Sequence, residues 1–277
     1  MLNPSRIVSV AATVSAITLL SGAAAAQDPT TQSNGSNGAN GSNSSGGSAC
    51  FGLPSHDALK RALESAQAQT NGGFGLDMWA TVVNRDGIVC AVAFTGSDRG
   101  SQWPGSRVIS AQKANTANAF SLPGLALSTA NLWAAVQPGG SLYGLQHSNP
   151  VNTVVAYQGS AGNFGQPNDP MVGGRIGGVN VFGGGLGLYN AKKQLVGGIG
   201  VSGDTSCADH NIAWRTRHSL NLDWVPGGVS AKNDDNINYQ GLVPDPSVPN
   251  DFSHPICKIG GVDNVSAISA ALPPIRK

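Results

Sequence analysis

Residues 177–213 read GGVNVFGGGLGLYNAKKQLVGGIGVSGDTSCADHNIA. Three short apolar runs lie in this stretch, Val179–Phe182, Leu186–Tyr189 and Leu195–Ser202, separated by Gly183–Gly185 and by Lys192 and Lys193. Runs of this length between turn residues predict strands, here a three-strand meander. Thr205 or Ser206 can cap a following helix that carries Ile212, Ala213, Thr216 and Leu220. Gly198, Gly200 and Gly203 also spell G-x-G-x-x-G. A dinucleotide fold needs a further parallel strand ending in an acidic residue about 20 positions on. Asp223 stands there, yet Asn221–Gly228 contains no strand-like run. The glycines therefore read as close backbone packing at the sheet edge.

Upstream, Ser55 can cap a helix striped by Ala58, Leu59, Ala62, Leu63 and Ala66 and stopped by Asn71, Gly72 and Gly73. Met78–Val83 and Ile88–Phe94 flank the turn residues Asn84–Gly87 and predict a hairpin. Ile109, Lys113, Thr116 and Phe120 recur at helical spacing, and Pro123 ends that helix. Leu127–Val136 predicts a short third helix. Residues 140–174 are rich in Gly, Asn and Pro, with Val151–Tyr157 as their one strand-like run, and read as a long loop insertion. The element order predicts an α+β fold, an antiparallel sheet with helices packed on it.

Arg6, the apolar run Ile7–Leu20 and the small residues Ala23–Ala26 follow the order of a secretory signal, so residues 1–26 are expected to be removed on export to the periplasm or the medium. Residues 27–49 read as a linker, since 15 of the 18 residues from Thr31 to Ser48 are Gly, Ser or Asn. No later run approaches the length of a membrane span. The chain carries 16 Lys+Arg against 15 Asp+Glu, and losing Arg6 leaves it neutral. That balance argues against nucleic acid as a partner, which requires clustered cations. Cys50, Cys90, Cys207 and Cys257 in an oxidising compartment predict two disulfides, with three pairings open. Residues 50–223 form the expected domain, and 224–277, rich in Pro, form an extension that wraps it.

Pro104–Phe120 (PGSRVISAQKANTANAF) and the 177–213 stretch together resemble the GlcG/HbpS family of haem-binding proteins, which is related to the C-terminal domain of PduO-type cobalamin adenosyltransferases. Lys113, Ala114, Thr116 and Ala117 match its K-A-x-T-A helix. Gly177 and Gly178 match its glycine pair, and Ile199–Gly203 its I-G-V-S-G run. The resemblance covers about residues 55–222 and implies a profilin-like, five-stranded antiparallel sheet. The linker, the insertion, the cysteines and the Pro-rich tail look like additions to a shorter domain. The family topology implies the pairings Cys50–Cys90 and Cys207–Cys257.

The resemblance implies a haem or other tetrapyrrole ligand, used in sequestration or redox sensing. Lys113 sits on an apolar helix face, where an ammonium suits a carboxylate guest, and Thr116 shares that face. His210 lies in the first turn of the last helix, one turn before Trp214 and two before His218, and is a candidate iron ligand. His147 in the insertion competes with it. Arg107 and Arg215 can pair with ligand carboxylates or form ordinary ion pairs. An alternative reading is a lyase or isomerase acting on a small aromatic or carboxylated compound, with Lys113, Asp204 or His210 moving the proton. A third is a structural domain that assembles into a homo-oligomer. Ser206 and Asp209 have the spacing of a capping box. The binding readings expect Lys113 and His210 to frame one cavity across the sheet.

Overall fold

The computed structural model describes residues 48–240 and 250–277. The expected export signal, nearly all of the linker, and Pro244, Pro246 and Pro249 lie outside the described residues.

Ser55 caps α1 (His56–Gln67), accepting from the Ala58 amide, and the stripe Leu59, Ala62, Leu63 and Ala66 is buried. The hairpin β1 (Trp79–Asn84) and β2 (Val89–Phe94) follows, with Gly87 supplying a positive φ of 73° at its turn. Next comes α2 (Ser106–Phe120). The expected third helix is two short 3-10 turns, Thr129–Leu132 and Ala134–Val136. Ser128 and Asn131 close a reciprocal cap at the first of them, and the Asn131 amide group also donates to the Asn236 carbonyl. The insertion contains two short helices, α3 (Leu145–Ser148) and α4 (Thr153–Tyr157). The strand-like run 151–157 is thus largely helical. The Asn152 side chain accepts from the Val154 and Val155 amides, and this local cap outweighs the strand preference of the β-branched residues.

Then come β3 (Gly185–Tyr189), β4 (Leu195–Ser202) and α5 (Ser206–Ser219), which is capped by Thr205. The main sheet is antiparallel, in the order β2-β1-β4-β3, with four strands rather than five. Residues 179–182 form no strand. Gly177 and Gly178 turn the chain through positive φ just before them, and helix α2 takes up their polar groups. The Asn180 amide donates to Thr116 Oγ1 and the Asn115 side chain donates to the Gly178 carbonyl. Thr129 Oγ1 similarly donates to the Phe182 carbonyl.

Helix α2 covers one sheet face and α1 with α5 the other. Burial on both faces explains why the strands read as continuous apolar runs. Ala80 and Val82 point to the α1/α5 core, whereas Trp79 and Val83 point to the α2 core, which the insertion extends through Ala156, Met171 and Ile176. The glycines of β4 do pack closely, but at the middle of the sheet and not at its edge: a Cβ on Gly200 would lie 1.9 Å from the Ser110 carbonyl oxygen of α2.

Cys50 is bonded to Cys90, tying the approach to α1 onto β2, and Cys207 to Cys257, tying the start of α5 to the C-terminal segment. That segment lies along α5: Trp214 Nε1 donates to the Pro273 carbonyl, and Arg217 makes a two-point ion pair with Asp235. No helix among the described residues is long and apolar enough to cross a membrane.

Candidate functional site

Lys113 and Asp209 reach each other from α2 and α5, 2.7 Å apart and almost wholly buried. The Lys113 ammonium also donates to the Val201 carbonyl and lies 4.7 Å from the centre of the Phe182 ring. Burial pushes the Lys113 pKa down and that of Asp209 up, to about 6, while their mutual attraction opposes both shifts. The other Asp209 oxygen accepts from the Asp204 amide. Asp209 is therefore a buried counter-ion, and not the partner of Ser206 in a capping box. Thr116 is buried, donating to the Gln112 carbonyl.

His210 is fully buried beneath the C-terminal segment, its Nε2 3.2 Å from Asn236 Oδ1, and its Nδ1 has no hydrogen-bond partner among the described residues. Its ring centre is 6.0 Å from that of Trp214, itself buried. Lys113 and His210 are both closed off from solvent, the ammonium bonded to Asp209 and His210 Nε2 to Asn236, and neither lines the cavities among the described residues. Arg215 donates to the Thr70 carbonyl and to Asn71. The Asp204 carboxylate accepts from the Phe74, Leu76 and Thr205 amides and so serves the turn. His147 is exposed on α3, His56 donates from Nε2 to the Gly165 carbonyl, and His218 pairs with Asp223.

The buried histidines set an acid limit. Burial lowers His210 and His254 to about 4 each, against an ordinary 6.5. Below pH 6.5 the unfolded chain binds protons that the native state refuses, so stability is lost as pH falls from about 6.5 toward 4. Asp209 works the other way between about 6 and 4, since its native carboxyl takes a proton first. Two imidazoles outweigh one carboxyl. Urea unfolding at pH 5 is expected to show about 2–3 kcal/mol less stability than at pH 7; an equal or higher midpoint at pH 5 would refute this balance.

A cavity of about 660 Å³ opens elsewhere, where the first residues of α2, the start of β1 and the insertion meet. Trp79, Val108, Phe164, Ala161 and Tyr157 give it an apolar, aromatic wall, and Asp98, Arg99 and Arg107 supply charge. Arg107 is held in place: Nε donates to Asp169 Oδ2 at 2.9 Å, a second nitrogen bonds Asp169 Oδ1, and Nη1 donates to the Ala156 carbonyl at 2.7 Å. Its guanidinium stacks 3.7 Å from the Phe164 ring centre. Arg107 thus forms an internal ion pair whose charge Asp169 neutralises. Arg99 is exposed and makes no ion pair among the described residues. The indole N–H of Trp79 is buried with no acceptor among them. Gly105, the first residue before α2, supplies no side-chain cap.

Trp79, Arg99, Tyr157 and Phe164 are absent from the set the motifs pick out. Trp79 reads as strand core, and Tyr157 and Phe164 sit in a stretch without periodicity. A faint signal was present in the aromatic residues of a Gly-rich insertion.

A family model described as the haem-degrading HbpS-like proteins matches residues 55–217. Among solved structures the chain is similar to a PduOC–haem complex, at 23% identity and a TM-score of 0.42 over 60% of this chain and 91% of that one. It is also similar to the ORFY protein of Klebsiella pneumoniae, at 24% identity and a TM-score of 0.41 over 60% and 90%. HbpS matches at 19% identity and a TM-score of 0.37 over 60% and 86%. No curated protein matches significantly.

Proposed function

The chain belongs to the HbpS-like family, and from that premise we propose that it is an exported protein that binds haem or a closely related tetrapyrrole for sequestration or redox sensing, in the cavity between α2 and the insertion. One observation carries the reading: a hollow of about 660 Å³ walled by Trp79, Phe164 and Tyr157 and flanked by Arg99, which has no ion-pair partner among the described residues. Its volume suits a small-molecule site. An unsatisfied buried N–H costs about 1–3 kcal/mol, so an acceptor delivered to Trp79 Nε1 gains what the free protein lacks.

The lining fits a flat, acidic ring system. Aromatic faces stack against the macrocycle, and the Arg99 guanidinium attracts carboxylates. Haem, when bound, supplies the iron chemistry. Among the lining residues the phenol of Tyr157 is the group suited to coordinate that iron, since tyrosine serves as an axial ligand in some haem proteins. His210 is sealed off and His147 is not in the lining. The two disulfides are compatible with an extracellular location.

Haemin titration followed in the visible range tests this. Wild-type protein at micromolar concentration is expected to shift the Soret band at one equivalent. Tyr157→Phe is expected to change the position of the band, and Arg99→Ala to weaken binding several-fold. A wild-type spectrum identical to free haemin would overturn the reading.

A further inference from the structure

The C-terminal segment returns to the start of α5 with three metal-ligating side chains in one place. Ligand atoms of Cys207, His254 and Cys257 all lie within 4.8 Å of one another. Cys207 and His254 are buried and Cys257 is half-buried. In the disulfide the two sulfurs are 2.01 Å apart and Cys207 Sγ lies 4.0 Å from His254 Nδ1; once the bond is cut the sulfurs have to separate to the roughly 3.3–3.8 Å that a tetrahedral zinc ion sets between its ligand atoms.

The imidazole is set for ligation. His254 Nδ1 is 2.7 Å from the Pro255 carbonyl, which can only accept, so Nδ1 carries the hydrogen and Nε2 keeps the lone pair. Metal-bound histidines commonly have this arrangement, one nitrogen fixed by a backbone carbonyl and the other free for the ion. Nε2 lies 3.3 Å from Ser206 Oγ, and the same hydroxyl is 3.3 Å from Cys257 Sγ. The Cys207 amide, in the first turn of α5, donates to Cys257 Sγ at 3.2 Å. That amide, at a helix N-terminus, favours a thiolate at Cys257 once the sulfur is free.

We propose that Cys207, Cys257 and His254 form a redox-gated site for a thiophilic divalent cation of the zinc class. In the disulfide form the sulfurs are bonded to each other and present no thiolate. A dithiol reductant supplies two electrons and two protons: the Cys207–Cys257 bond breaks, the dithiol closes to its own disulfide, and two cysteine thiols result. Binding the cation then releases those two protons to solvent. Two thiolates and Nε2 hold the ion, and a water completes the tetrahedron. The cation would replace the covalent link between α5 and the C-terminal segment under reducing conditions.

The test uses the mature full-length chain, oxidised or reduced with a phosphine that is then removed anaerobically, and titrated with Co²⁺ as a coloured stand-in for Zn²⁺. Reduced protein is expected to bind one equivalent with a near-ultraviolet thiolate charge-transfer band and visible bands of a tetrahedral ion, and oxidised protein none. His254→Ala is expected to bind at least about tenfold more weakly, since loss of even an outer-shell partner costs a metal site that much. If reduction loosens the fold, near-ultraviolet circular dichroism should return with the ion. The proposal is overturned by any of four results: no thiolate band after reduction, a full band in the Cys207→Ser/Cys257→Ser variant, unchanged affinity in His254→Ala, or a reduced chain that the ion leaves unfolded.

Discussion

Lys113→Met is expected to destabilise the protein by about 3–5 kcal/mol, measured by urea unfolding at pH 7, because it strands the Asp209 carboxylate without its partner. Asp209→Asn should cost a similar amount by stranding the ammonium. Both side chains are essentially without solvent contact, so water cannot take the place of the lost partner. The pair also satisfies two backbone groups, the Val201 carbonyl and the Asp204 amide. Lys113→Met with Asp209→Leu removes both charges but leaves those backbone groups unpaired, so it is not expected to be neutral. It should fall short of the sum of the single effects by roughly 1–3 kcal/mol, the coupling expected of groups in contact. Strict additivity would mean that the two residues do not act as a pair. If Lys113 were instead a ligand-facing cation, its replacement would be nearly silent in the free protein.

Replacing Cys207 and Cys257 by Ser is expected to cost about 4 kcal/mol, the chain-entropy value for opening a loop of this length. The sequence separation is 50 residues, and the link anchors the segment that covers His210 through Asn236 and Arg217 through Asp235. The loss should therefore show as faster amide exchange along α5 as well as a lower denaturation midpoint. Stability within about 1 kcal/mol of wild type would mean that the segment's own packing, and not the covalent link, holds it in place.

Where local chemistry decides an element, the sequence was readable. The cap and stripe of α1 are contiguous, the turn at Asn84–Gly87 permits few alternatives, and the glycines of β4 announce a close neighbour even though their place at the centre of the sheet is not announced. Residues 179–182 misled because their apolar pattern suits a strand, whereas side chains of α2 and Thr129 compete for their polar groups. The apolar setting of Lys113 called for a partner, which the sequence reading sought in a ligand carboxylate and the structure supplies as Asp209. Its partner was hidden because Asp209, 96 positions away, also has the spacing of a cap. The cavity was the least legible feature. It depends on contacts such as Arg107 with Asp169, 62 positions apart, that seat the insertion against α2. Nothing local to Trp79 or Phe164 marks them as a wall.

The most direct test of the cavity as the ligand site is to fill it. Ala161 lines it from an exposed 3-10 turn, so Ala161→Trp should leave the fold intact, as circular dichroism can verify. Haemin affinity, read from the Soret titration, is predicted to fall at least tenfold in this variant and to stay at the wild-type value in His210→Gln. Unchanged affinity in Ala161→Trp, with binding lost in His210→Gln, would contradict the account.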